Sequence, residues 1–453
     1  MRNWTSRKVR NKGLLFPSLL GILILLYTAA DVPSQAVVEL LEQISKIKAV
    51  DNHSHVEKVT EQGKPDLDGD AIGCGGLEFI SPPPLRLRTD NPIYLDAWRG
   101  LFGFASPDMS AGRIQEYLRI KQAAIQTKGD NYPAWILDKL NIDVMLANRV
   151  AMGKGLNNKR FRWVSYGDPF LLPFETKKVR QANSDQRFFY SQEEKLFRRY
   201  LTEAKIARLP STLDLYFRRF VTPTLERQKD EGAVGIKFVA AYYRSLEFDT
   251  VSKQEAEKIY RAYVNGGEPG PLLYKKFQDY VFRYVAAEAG RLGLAVHIHT
   301  GGGCGHYFNL RTANPILLES VLNDPALRKT NFVLIHGGYP YTNETAFLME
   351  KPNVYADFSA QTFLLPPQSL SKVLRSWLEY EPEKVLFGSD ASPASPEVGW
   401  EESAWMTTNT ARRALAIALS NMIADGEISW ERALELARMV LRENALRLYK
   451  LDH

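Results

Sequence analysis

The sequence predicts an α/β chain folded as a (β/α)8 TIM barrel with helical insertions. Two observations carry this. Eight short β-rich runs, each ending in polar residues or glycine, alternate with longer helical stretches. Most of the histidines also fall at, or just past, the C-terminal ends of those runs. Runs of four to eight residues without strict alternation suit strands buried on both faces of a parallel sheet.

The runs are, in order, IKAVDN (47–52), DVMLANR (143–149), FRWVSYG (161–167), AVGIKFVA (233–240), GLAVHIH (293–299), TNFVLIH (330–336), PNVYADFS (352–359) and EKVLFGSD (383–390). Val37, Leu40, Leu41 and Ile44 recur at helical spacing just before the first run. A further helix is expected over 275–291, and two close the chain, over 402–424 and 430–449, parted by Asp425-Gly426. A barrel needs about 250 residues, so the domain, taken as 36–453, carries insertions at about 60–135 and 168–230. The second is rich in Arg, Lys and aromatics, which reads as a solvated amphipathic face rather than an RNA-binding arm.

Hydrophobic residues make up 45% of the 453, enough for a large core, which excludes a disordered chain. The formal charge of +6 belongs mostly to the N-terminus. Residues 1–30 hold Arg2, Arg7, Lys8, Arg10 and Lys12 and no acid; removing those five leaves 53 basic against 52 acidic residues. No nucleic-acid partner is expected of so balanced a surface. The basic start, the apolar stretch from Leu14 to Ala30 and the small residues Thr28 and Ala30 read as a signal peptide, with an uncleaved membrane anchor as the alternative. Either way the remainder is expected outside the cytoplasm, periplasmic or extracellular. Cys74 and Cys304 read as two free thiols, with a disulfide as the alternative that export allows.

There are seven histidines, and two HxH pairs among them: HSH (53–55) and HIH (297–299). Along a strand, residues i and i+2 project from one face. At the end of a barrel strand, two such imidazoles reach one metal ion. His53, His55, His299 and Asp390 are therefore the expected metal ligands, with His336 and Lys237 as candidate additions. A carbamylated Lys237 would bridge two metals; a lysine paired with an acid or binding substrate is the plainer reading. His297 lies one pleat deeper than His299 and is placed behind it, toward substrate. His306, after the glycine loop, reads equally as a rim or a surface residue. Gly301 and Gly302 would let the backbone approach a substrate closely. Arg244, Arg149 and Arg311 are candidates for holding a substrate carboxylate, with a surface or helix salt bridge as the plainer reading of each. No GxxxxGK[ST] phosphate loop and no GxSxG elbow occurs.

The motifs VDNHSH, GIKF, HIHTG, LIHGGYPY and LFGSD together resemble the amidohydrolase superfamily, in its amidohydrolase-related (amidohydrolase 2) branch. Residues 131–153, the HTGGG and HGGYPYTNETAFL segments and NVYADFS are most similar to the amidohydrolase domain of nodulin and glutamine-synthetase-like fusion proteins. The resemblance covers about residues 45–450. It implies a barrel enzyme with one or two divalent ions, Zn2+ first and Mn2+ or Fe2+ next, held by His53, His55, His299 and Asp390. In the two-metal pattern Lys237 and His336 join them.

The chemistry expected is hydrolysis of an amide, ester or lactone in a small molecule by a metal-bound hydroxide. Asp390 would shuttle the proton, and His336 or the metal would polarise the carbonyl oxygen. The alternatives are a metal-dependent non-oxidative decarboxylase and an exported, non-catalytic binding protein on the same fold. A small-molecule substrate is the expected partner, with membrane anchoring if the leader is retained; homo-oligomer formation stays open.

Overall fold

A computed structural model describes residues 35–451 except 62–63, 71–73, 75–82, 157–158 and 306. The expected signal peptide or anchor at 1–30 and the candidate His306 lie outside the described residues.

Eight parallel strands pair in chain order: β1 Ala49–Ser54, β2 Ile142–Asn148, β3 Phe161–Tyr166, β4 Ala233–Phe238, β5 Ala295–His299, β6 Phe332–Ile335, β7 Val354–Asp357 and β8 Val385–Leu386. Every expected run overlaps one of them. The strand β8 is the shortest because the chain beyond Leu386 turns to meet β1 through separate backbone bonds. Asn52 N donates to Phe387 O, Asp390 N to His53 O and His55 N to Ala391 O, each at 2.8 Å. These bonds join the last strand to the first and bring the (β/α)8 barrel to near closure.

Helices lie between the strands and over their outer faces. The first, Gln35–Ser45, buries Val37, Leu40 and Ile44. The helix before β5 runs from Pro271 to Leu292. Proline at its first turn is preset for the helix, and Gly293, at φ 69°, ends it in the left-handed region. The helix expected over 402–424 spans Trp400–Ala424. The stretch expected as one helix over 430–449 is instead two, Trp430–Arg438 and Asn444–Tyr449, separated by a π turn at Met439–Glu443. Between β1 and β2 stand helices Ile93–Phe102, Ala111–Lys128 and Tyr132–Leu140; between β3 and β4 the longest is Arg187–Glu203. Among the described residues no helix is long and apolar enough to cross a membrane.

Two clusters make up most of the core among the described residues. The larger fills the space between strands and helices. The smaller is inside the barrel, where Val50, Val144, Leu146, Val164, Ala295, Val333, Ile335 and Leu386 meet Leu446, Leu448 and Tyr449 of the closing helix. Val144, Ala295 and Val333 stand at strand starts, so this apolar plug fills one end and leaves the strand C-termini as the polar end.

Cys74 and Cys304 form a disulfide across 230 residues, with Cα atoms 6.0 Å apart. The expectation of two free thiols is corrected. The loops after β1 and β5 meet over the same barrel end, which spacing along the chain does not reveal.

Candidate metal centre

The polar end is built from strand termini. Strict alternation from Val50 would put Asn52 and Ser54 inside the barrel and His53 outside. A register shift in the β1–β2 ladder between Asp51 and Ser54 changes this. It turns His53 inward as well, since its Nε2 lies 3.3 Å from Lys237 Nζ on β4. His336 and Asp390 follow β6 and β8 with φ of 67° and 56°. Left-handed backbone in a non-glycine residue is strained, and such strain gathers at functional sites.

Three side chains converge. Asp390 Oδ1 lies 3.3 Å from His53 Nε2 and 3.2 Å from His55 Nε2. One ligand atom from each of His53, His55 and Asp390 falls within 4.8 Å of the others. His299 is not in this trio. Its Nδ1 faces His336 Nε2 at 3.1 Å, so the fourth expected ligand and His336 form a second donor pair beside the first group. Lys237 is 2% exposed and contacts His53.

Burial and neighbours set the charges. Burial pushes His53 down to about 3, and the Lys237 ammonium adds to the effect. Burial also holds His297, His299 and His336 well below the ordinary histidine value, so these imidazoles are neutral. For Lys237, burial outweighs the surrounding carboxylates and lowers the amine to about 8. His55 is the exception. Burial opposes its charging, but Asp70, 3.0 Å from Nδ1, and Asp390 raise it to about 10. Burial likewise works against the Asp390 carboxylate, yet His336, His53 and His55 hold it well below the usual range.

The donor set fits a divalent cation. Two imidazole nitrogens and a carboxylate oxygen are all electron-pair donors, and they repel unless a positive charge lies among them. The protein meets that need at His55, whose imidazolium stands between Asp70 and Asp390.

Other candidates are placed elsewhere. Arg244 does not reach the mouth: Asp279 Oδ1, Gln278 Oε1 and two backbone carbonyls take its guanidinium, which also lies over Phe248. Arg149 is fully buried against Asp66 and the carbonyl of Val56. Arg311 sits on an exposed turn. His297 is sealed inside the barrel, with Nε2 2.7 Å from the Tyr449 hydroxyl, and cannot meet a substrate. Gly301 makes its close approach to the loop after β6, since a Cβ there would strike Tyr339 O and Gly338; Gly302 N donates to the same Tyr339 O. A cavity of about 540 Å³ is lined by the loops after β1 and β8, with Glu57, Lys121 and Trp400 among its residues and none of the converging trio.

Several partners of the site escaped the sequence reading. Asp70, bound to His55 and Tyr166, lies in the loop DLDGD, whose acids carry no strand-end signal. Tyr242 packs on His299 at 4.4 Å between ring centres. Asp357 and Ser359 brace His336 from the end of β7; their signal was available, as polar residues closing a predicted strand.

A family model described as amidohydrolase (Amidohydro_2) matches residues 211–451. The chain is similar to protein fluG of Emericella nidulans, 26% identical over 248 residues. That match covers 52% of this chain and 28% of fluG, so less than a third of the relative's length is represented. Among solved structures it is similar to a Lactobacillus casei protein described as a metal-dependent hydrolase, with TM-score 0.63 and 18% identity over 91% of this chain and 97% of the other. A glucuronate isomerase from Caulobacter crescentus superposes with TM-score 0.65 and 15% identity, over 93% and 96%. At these identities the structural likenesses establish the fold.

Proposed function

Since the chain belongs to the amidohydrolase family, we propose that it is a metal-dependent hydrolase acting on an amide, ester or lactone carbonyl of a small molecule. The observation that carries this is the convergence of His53 Nε2 and His55 Nε2 on one oxygen of Asp390. His53, His55 and Asp390 would hold the cation, with His299 and His336 as the adjoining donor pair. Zn2+ is the ion we propose; imidazole and carboxylate donors also suit Fe2+ and Mn2+. A divalent cation there supplies Lewis acidity and makes water a nucleophile near neutral pH, by lowering its pKa from about 15.7 to about 7.

The chain's own part is positioning and proton transfer. Asp390 keeps Oδ1 on the two imidazoles, while Oδ2, 3.9 Å from His336 Nδ1, remains to take a proton from water and return it to the leaving group. Its side chain is 15% exposed and that of His55 18%, against 1% for His53, so Asp390 and His55 are the members of the trio open to a substrate. Tyr242 and Phe308 form an apolar wall beside His299. We further propose that the chain works outside the cytoplasm, a reading that the Cys74–Cys304 disulfide supports.

The test is a substrate screen of the Zn2+-loaded protein with lactones, esters, amides and aromatic carboxylic acids. Water addition across a carbonyl is the expected outcome. Release of CO2 from the acids, with no hydrolysis, would replace this reading with the decarboxylase.

A further inference from the structure

The helix Asn444–Tyr449 closes the barrel at the end opposite the candidate metal centre. Asn444 Nδ2 anchors its start by donating to Pro382 O at 2.7 Å and Val385 O at 2.9 Å. Leu446 and Leu448 pack onto the inward residues of the strands, and the Tyr449 ring enters the barrel with them. Its hydroxyl donates to Asn52 Oδ1 and lies 2.7 Å from His297 Nε2.

From that hydroxyl a chain of buried hydrogen bonds runs to His336. Asn52 Nδ2 donates to Asp357 Oδ2 at 2.7 Å. Asp357 Oδ1 accepts the backbone N–H of His336 at 2.8 Å and the hydroxyl of Ser359 at 2.7 Å. Ser359 Oγ is 2.8 Å from His336 Nδ1.

Counting protons gives each link a direction. The single proton of Tyr449 goes to Asn52, so the contact with His297 requires an N–H on His297 Nε2. Ser359 has already given its proton to Asp357, so its oxygen accepts from His336, which requires an N–H on His336 Nδ1. A neutral imidazole carries one proton. His336 Nε2 is therefore bare, and it is the atom that faces His299 Nδ1 at 3.1 Å.

We propose that Tyr449 is a positioning residue for His336: through Asn52, Asp357 and Ser359 it fixes the Nδ1–H tautomer and presents Nε2 as a lone pair to the centre. The purpose of that lone pair, as ligand or base, rests on the function proposed above; the tautomer does not. The arrangement also revises one expectation. A bare Nε2 cannot donate a hydrogen bond, so the metal-free His336 does not polarise a carbonyl oxygen through that atom. Without the Tyr449 hydroxyl, Asn52 is held only at its Asp357 end. Its amide is then free to turn, the carboxylate loses a fixed donor, and the Ser359 hydroxyl can reverse.

The experiment is long-range 1H–15N correlation on the metal-free protein labelled with 15N-histidine, each histidine assigned by single His→Gln variants. In the unaltered chain His336 should show a protonated Nδ1 and a bare Nε2, and His297 the reverse. Tyr449→Phe keeps the ring in the plug and removes only the hydroxyl. It should reduce the protonated Nδ1 signal of His336 and add a second signal with Nε2 protonated. Asn52→Ser, which leaves Tyr449 in place, should give the same pattern and serves if the first variant does not fold. A folded Tyr449→Phe protein with lowered Tm and unchanged His336 signals would overturn the proposal, because packing alone would then explain Tyr449. So would an Nε2–H tautomer of His336 in the unaltered chain. Zn2+ titration separates the two readings. Loss of about tenfold in affinity in Tyr449→Phe is expected, whereas absence of Zn2+ binding in the unaltered chain would remove the metal reading and leave the tautomer result standing.

Discussion

Asp390 Oδ1 stands 3.3 Å from His53 Nε2, across the seam where the last strand meets the first. The two residues are far apart in sequence, and the backbone joins them as well, Asp390 N donating to His53 O at 2.8 Å. Barrel closure and the assembly of the centre are thus one event. A change that loosens the β8–β1 seam should disturb the candidate centre before it disturbs the rest of the fold.

Replacing His53 and His55 together by Ala should empty the site. We expect bound divalent metal, measured by plasma mass spectrometry on protein purified without chelators, to fall at least about tenfold. Full retention of metal would mean that other residues are the ligands.

Asp390→Asn keeps the size of the side chain and removes its capacity to carry a proton between water and leaving group. Turnover on whichever substrate the screen identifies should drop by about 10²–10⁴, with an unchanged circular dichroism spectrum. Ordinary activity in the Asp390→Asn protein would dismiss the carboxylate as the proton carrier.

Glu193 is fully buried, and neither carboxylate oxygen has a hydrogen-bond partner among the described residues. Burial, with Asp168 and Asp70 nearby, raises its pKa well above the ordinary value. The folded state therefore binds this proton more tightly than the unfolded state. Its stability is fullest below the unfolded pKa and declines as pH rises from there toward the folded value. Glu193→Gln, neutral at every pH, should match the parent near pH 4 and exceed its Tm at pH 8, on the order of 1–2 °C for a domain of this size. A variant less stable than the parent at pH 8 would show that the carboxylate is ionised and held by a partner.

Reduction of the Cys74–Cys304 disulfide should expose two thiols where the denatured, unreduced protein shows none. The double Ser variant should lose about 2–5 kcal/mol of stability, read as a lower midpoint in guanidinium. Two reactive thiols in the oxidised, denatured protein would contradict the pairing.

The barrel was legible because strands buried on both faces leave continuous apolar runs, and each run ends where its strand ends. His53, His55 and Asp390 were legible for the same reason, as polar residues at those ends. What sequence did not reveal depends on contacts across space. A salt bridge was the plainer reading of Arg244, but a substrate role stayed open because its partner Asp279 lies on a later helix, 35 residues away. His299 was expected beside His53, but its ring turns toward His336. The strand alternation that justified the HSH pair also needed a register shift, invisible in composition, to bring His53 inward. Tyr449 read only as part of a closing helix, since a tyrosine at helical spacing gives no sign that its hydroxyl crosses the barrel core.

The most direct test of the central claim is an anomalous-difference map from a crystal of Zn2+-loaded protein, recorded on both sides of the zinc edge. We predict a peak bounded by His53 Nε2, His55 Nε2 and the Asp390 carboxylate, at about 2.0–2.2 Å from each. A map with no peak there, or with zinc only at surface carboxylates, would contradict it.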